Sequence, residues 1–172
     1  TWKQCGYWKT SITLFERALK VTKANYMAHG GLAIALLNEN KPLEAINHLD
    51  QAIRIKPIDQ FYRMRAIAYE KLGNDQQAVE DYSAAINLKP DMADDYFNRG
   101  LACIRLRQYQ SALNDFNQTI QLRNDYTDAY NNRAYLHLIQ GNSLSGCEDA
   151  QKACAMGNCQ TLEWATGRGD CR

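Results

Sequence analysis

The chain has 172 residues, 45% of them apolar, with only 3 Pro and 10 Gly. That suits one ordinary domain or a short repeat array, and argues against a disordered or collagenous chain. Lys and Arg nearly balance Asp and Glu, for a net charge of +1, and no basic stripe is visible, so binding to nucleic acid is a poor account of the chain. No apolar run reaches the ~18–20 residues that span a bilayer, so no direct membrane insertion is expected.

In chain order, the first helix predicted covers Trp8 to Lys23, with Ile12, Phe15, Ala18, Leu19 and Thr22 along one side. Phe15 and Ala18 fit the second helix of a repeat whose first helix is missing or reduced to 1–5. Residues 1–25 therefore read as a half-repeat, and the chain as a piece of something longer.

From residue 26 onward a period emerges. Pro57 and Pro90 each close a similar phrase, Ala-Ile-Arg-Ile-Lys-Pro and Ala-Ile-Asn-Leu-Lys-Pro. Tyr62-x-x-Arg65-Ala66 returns as Tyr96-x-x-Arg99-Gly100 and Tyr130-x-x-Arg133-Ala134. Ala45, Ala78, Ala112 and Gly146 keep the same register. Apolar residues within each unit are spaced for two helices, broken by phrases such as Gly73-Asn74-Asp75, with Gly past one helix end and Asn/Asp at the next start. Pro42 suits a first turn, where its missing N–H costs little. The repeats are placed at 26–58, 59–92, 93–126 and 127–158. Small residues at fixed places let helices approach to ~8–9 Å. Two helices cannot bury such faces alone, whereas stacked neighbours can.

Three of the repeats carry Arg on the first helix and Asp sixteen residues later: Arg65 and Asp81, Arg99 and Asp115, Arg133 and Asp149. In the first repeat Leu32 and His48 hold those places, so both charges vanish together. Each Arg is expected to pair with its Asp between the helices of one repeat, as a device that sets their register.

Four of the six cysteines, Cys147, Cys154, Cys159 and Cys171, fall in the last 26 residues. A short capping helix over Gln160 to Thr166, antiparallel to a helix at 144–156, puts Leu162 and Trp164 or Ala165 over the last repeat. Segment 159–172 is thus a cap and tail. That geometry orders the cysteines as Cys154–Cys159 and Cys147–Cys171; the alternative joins Cys159 to Cys171 and leaves the other two free. Cys103 reads as a buried thiol. No C-x-x-C or Cys/His spacing suggests a metal. His29, His48 and His137 read as dispersed over separate repeats, and H-E-x-x-H, G-x-S-x-G and phosphate-loop patterns are missing. No catalytic residue, metal ligand or cofactor is assigned, and the chain is expected not to be an enzyme.

The order aromatic, small, aromatic, Leu-Gly, Ala, aromatic, Ala, Pro is reproduced by Tyr62, Ala66, Tyr69, Leu72-Gly73, Ala78, Tyr82, Ala85 and Pro90. It resembles the tetratricopeptide repeat over about 130 residues. The resemblance implies an all-α fold, a right-handed αα superhelix of helix-turn-helix repeats. It also implies a groove lined by the first helices that binds a peptide or protein. By position, the groove residues would be Ile34, Arg63, Ile67, Phe97, Asn98, Leu101, Arg105, Asn131, Asn132 and Tyr135. Asn98 and Asn132 fall where family members hold a peptide backbone. A purely structural, self-associating solenoid is the bland alternative.

The phrase running from Trp8 to Thr22, followed by Asn25-Tyr26-x-Ala28-His29, resembles a further group. In those bacterial proteins a multi-span, glycosyltransferase-like membrane region precedes a soluble repeat tail. This resemblance implies an accessory domain outside the cytoplasm (periplasmic), with a cytoplasmic placement as the alternative.

Overall fold

The computed structural model describes residues 11–22 and 24–171, and among them all regular structure is helical. Helix α1 covers Ser11–Val21. Four pairs follow: α2 (Tyr26–Asn38) with α3 (Pro42–Ile55), α4 (Asp59–Lys71) with α5 (Asp75–Leu88), α6 (Ala93–Arg105) with α7 (Tyr109–Leu122), and α8 (Thr127–Ile139) with α9 (Ser143–Ala155). Helix α10 (Gln160–Arg168) closes the series. Of the helix expected over Trp8 to Lys23, the turns within α1 are present; Trp8 to Thr10 and Lys23 lie outside the described residues, as does Cys5.

Starts and stops follow local chemistry. The Asn25 side chain accepts from the Ala28 N–H at 3.0 Å and caps α2, and Pro42 occupies the first turn of α3. First helices stop at one register position: Asn40, Gly73, Arg107 and Gly141 all have positive φ, from 58° to 83°. At each stop two amides turn back in a Schellman pattern: Gly73 N–H donates to the Glu70 carbonyl and Asn74 N–H to the Tyr69 carbonyl. Arg107 and Gln108 do the same to Ile104 and Cys103. Glycine is suited to this conformation, whereas an arginine adopts it under strain.

The chain divides into two compact units, one ending at Pro90 and the other beginning at Asp91. In the first, α1 packs on α2, and α4 packs on α2, α3 and α5. Its core holds Leu32, Leu36, Leu49, Phe61 and Met64, with Phe15 and Leu19 of α1 against it. In the second unit α6–α7 and α8–α9 form pairs, α7 meets α8, and α10 lies on both α8 and α9. Tyr82 and Phe116 are fully buried at equivalent places, and the Phe116 ring lies where a Cβ on Gly100 would come within 2.8 Å of it.

The Arg–Asp pairs sit within this frame. Arg65 donates from Nε and Nη2 to Asp81 at 2.7 and 2.7 Å. Arg99 does so to Asp115 at 3.0 and 2.6 Å, and Arg133 to Asp149 at 2.7 and 2.7 Å. Each is a two-pronged contact on a buried carboxylate. Each Arg also lies beside the Tyr three residues before it, at 5.4–5.7 Å from the ring centre, which accounts for the Tyr-x-x-Arg phrase. Two of the arginines reach further than one repeat: Arg65 Nη1 donates to Asp50 on α3 at 2.5 Å, and Arg133 Nη1 to Asn117 on α7 at 2.7 Å. These arginines therefore tie a repeat to the one before it as well as joining its own two helices.

At the C-terminal end, Cys147 is bonded to Cys171 and Cys154 to Cys159, fastening α10 and the tail to α9. Cys171 and Ala165 are buried with Leu138. Cys103 is a buried free thiol, and burial raises its pKa above the ordinary value.

Candidate functional site

The register position of Ile34, Ile67, Leu101 and Tyr135 faces outward from the first helices. Ile34 and Tyr135 are each 42% exposed, and Ile67 and Leu101 are half-buried. The neighbouring position behaves differently, and the sequence expectation is corrected there. Phe97 is not a groove residue: it is only 9% exposed, with its ring 5.8 Å from Phe116 and 4.7 Å from Tyr126. Gly30, its counterpart in the first repeat, lies so close to Phe61 that an added Cβ would sit 2.4 Å from that ring. Asn131, its counterpart in the last, accepts from the Thr161 N–H at 3.2 Å, and its backbone carbonyl accepts from the Thr161 hydroxyl at 3.3 Å. In these three repeats the position is a seam, its side chain or backbone shared with the element that follows. Arg63, also at that position, donates to Asp59 one turn earlier at 3.1 Å. Asn98 is half-buried and Arg105 exposed.

Each unit holds a concave site against its first helices. The first, about 490 Å³, lies between α1, α2 and α4 and is lined mainly by apolar groups, among them Phe15, Met27, Ile34, Ile58 and Phe61. Two adjacent glycines shape it: a Cβ on Gly31 would stand 2.3 Å from the Phe15 ring, as one on Gly30 would crowd Phe61. Without side chains at 30 and 31, both rings settle against the backbone of α2. Met27 at the rim is 67% exposed. Ile34 is among the groove positions expected from the sequence, whereas the part played by Phe15 depends on a contact that spacing does not reveal.

The second site, about 300 Å³, is formed by Asn131, Asn132 and Tyr135 of α8 with Gln160, Thr161 and Trp164 of α10. The Tyr135 and Trp164 rings are 5.4 Å apart and tilted by 50°. Of the capping residues expected on α10, Ala165 is buried and Leu162 packs beside it, whereas Trp164 remains 36% exposed at this site.

The histidines are also corrected. His29 and His48 do not lie in separate repeats: they face one another across α2 and α3 with their Nδ1 atoms 3.1 Å apart. Burial lowers the pKa of both, and His48 further opposes protonation of His29. Among the described residues no group of three or more His, Cys, Asp or Glu is placed to hold a metal ion. No helix there is long and apolar enough to cross a membrane.

Comparison with known proteins agrees with this architecture. Three repeat models match: one described as "TPR repeat" over residues 66–106, and two described as "Tetratricopeptide repeat" over 8–59 and 96–126. The human tetratricopeptide repeat protein 6 is 30% identical over 95 residues, 55% of this chain and 18% of that protein. The human protein O-mannosyl-transferase TMTC3 is 33% identical over 84 residues, 48% of this chain and 9% of that protein. The chain thus spans less than a fifth of these relatives' length. Among solved structures, MamA superposes with a TM-score of 0.82 at 20% identity, covering 84% of this chain and 85% of that one. YrrB, described as a TPR protein with an unusual peptide-binding site, gives 0.80 at 17%, covering 91% and 81%. The first TPR of Spaghetti (RPAP3), solved with an HSP90 peptide, gives 0.65 at 20%, covering 67% and 93%. These structural likenesses are of fold, an all-α, right-handed class built of helix-turn-helix pairs. Repeat period, Schellman stops, helix pairing and matched models together identify the chain as a tetratricopeptide-repeat domain.

Proposed function

We propose that this domain is a protein-interaction module that binds a peptide segment of a partner along the outward face of its first helices. The observation that carries this reading is the apolar cavity of the first unit, open beside Met27 and Ile34. A solvent-facing hollow of that size, walled by aromatic and aliphatic groups, suits an apolar anchor residue of an extended or helical peptide. Peptide complexes of this fold, as in the RPAP3 structure, support the mode without naming the partner. To test it, displayed peptide libraries are selected on the whole chain and the captured peptides titrated calorimetrically. Ile34→Asp and Met27→Asp are expected to weaken binding at least about tenfold, since each sets a charge in an apolar contact, with helicity unchanged. Unchanged affinity in both would refute the reading.

A second reading concerns context. We infer that the domain serves as an extracytoplasmic accessory to a membrane glycosyltransferase-like protein. Its supports are the partial match to TMTC3 and the two disulfides, which persist in oxidising compartments. Alkylating thiols in intact cells before extraction tests the placement: four protected cysteines support it, and four alkylated ones refute it.

A further inference from the structure

We propose that the pocket between α8 and α10 is a subsite for one residue of a bound peptide, taking a secondary amide together with an aromatic side chain. This rests on the peptide-binding reading above and assigns the chemistry at one end of it. The argument begins with the two adjacent asparagines. Asn131 must present its oxygen to the Thr161 N–H, so its NH2 is the end left over. Asn132 donates its NH2 to the Asp128 backbone carbonyl at 2.8 Å, so its oxygen is the end left over. Their partners thereby fix both amide orientations. The pocket offers one N–H donor beside one carbonyl acceptor, the complement of a secondary amide, whose C=O accepts and whose N–H donates. The other repeats hold Gly30-Gly31, Arg63-Met64 and Phe97-Asn98 at these two places, so the paired carboxamides occur in the last repeat alone.

The remaining wall is aromatic. Tyr135 and Trp164 lean together at 50°, and Arg168 rests its guanidinium 4.7 Å from the Trp164 ring centre, holding the indole in place. A third ring entering beside a tilted pair gains offset or edge-to-face contact. All six lining residues are uncharged, which disfavours an acidic or phosphorylated ligand. The volume, about 300 Å³, lies at the small end of ligand sites and fits one residue better than an extended segment. Helix α10, which supplies Trp164, is held by the Cys147–Cys171 and Cys154–Cys159 bonds, so the site is preorganised.

The test is a titration of the whole isotope-labelled chain by NMR with N-acetylphenylalanine N-methylamide, followed at the Trp164 indole and the Asn131 and Asn132 side-chain amides. Saturable shifts at these groups are expected. Methylating both amide nitrogens of the probe should weaken it by about 2–10-fold, the worth of one neutral hydrogen bond, and Trp164→Leu should weaken it by about 3–10-fold. Should Trp164→Leu disturb the helices, Tyr135→Leu reads the same ring contact. Absence of saturable shifts overturns the proposal, and so does tighter binding of N-acetylglucosamine at the same resonances, which would make this a saccharide site. A captured peptide that loses affinity with Ile34→Asp but not with Trp164→Leu or Tyr135→Leu refutes this subsite and leaves the peptide reading standing. Saturable probe binding with no captured peptide supports the subsite chemistry while refuting the wider reading.

Discussion

The Arg99–Asp115 contact makes the sharpest prediction about what holds a repeat together. Asp115 is 4% exposed and receives two hydrogen bonds from Arg99, at 3.0 and 2.6 Å. Those bonds, more than the simple charge attraction, raise the Arg99 pKa above its ordinary value. Arg99→Met removes the cation and leaves a buried carboxylate, which should cost about 3–5 kcal/mol. Asp115→Leu leaves an Arg whose side chain is 23% exposed and can turn its head to water; its cost should be smaller, about 1–3 kcal/mol. The double variant replaces the pair by packed apolar groups and should lie within about 2 kcal/mol of the parent. The three proteins are compared by urea unfolding with disulfides intact, checking that the slope is unchanged. A coupling of at least about 2 kcal/mol is expected. Simple additivity of the two single costs would show that the carboxylate finds its stabilisation elsewhere, and would refute the pairing as the register device.

Other perturbations follow from named contacts. Arg107→Gly should stabilise by about 0.5–1 kcal/mol, because the φ of 59° is strained for a side chain and free for glycine; a lower urea midpoint would contradict this. Breaking Cys147–Cys171, with 24 residues of separation, should cost more than breaking Cys154–Cys159, with 5, about 3.5 against about 2 kcal/mol from loop entropy, measured as melting shifts of Cys→Ser pairs. His29 and His48 have lowered pKa values, first because of burial. The unfolded chain then binds more protons than the folded one from the ordinary value of 6.5 down to the lowered values, so stability should fall as pH drops through that window. Glu16 on α1 and Glu44 on α3 oppose the shift of His48 without cancelling it. His48→Phe should flatten the fall in melting temperature between pH 7.5 and 5, and an unaltered slope would clear the pair of responsibility.

Sequence alone determined the features that repeat. The helix stop at Gly73 and the Arg65–Asp81 series follow from chain-local spacing, because helix geometry converts a sequence interval directly into a position in space; for the cysteines that spacing narrows the pairings to the nested order and one alternative. Tertiary structure alone decided which of two positions, one turn apart on the same helix, opens to a groove and which closes on a neighbour. Residues four apart on a helix lie only about 40° apart around its axis and about 6 Å apart along it, so a repeat pattern puts both on one face without telling them apart. Ile34 and Tyr135 face outward, whereas Gly30 and Phe97, at the place one turn earlier in their repeats, are consumed by the element that follows. Whether such a place is seam or site depends on the size of a side chain some thirty residues later: Phe61 against Gly30, Tyr126 against Phe97, Thr161 against Asn131. The His29–His48 contact, the reach of Arg65 to Asp50 and the exposure of Trp164 beside the buried Ala165 arise in the same way, from packing between elements that no single period encodes.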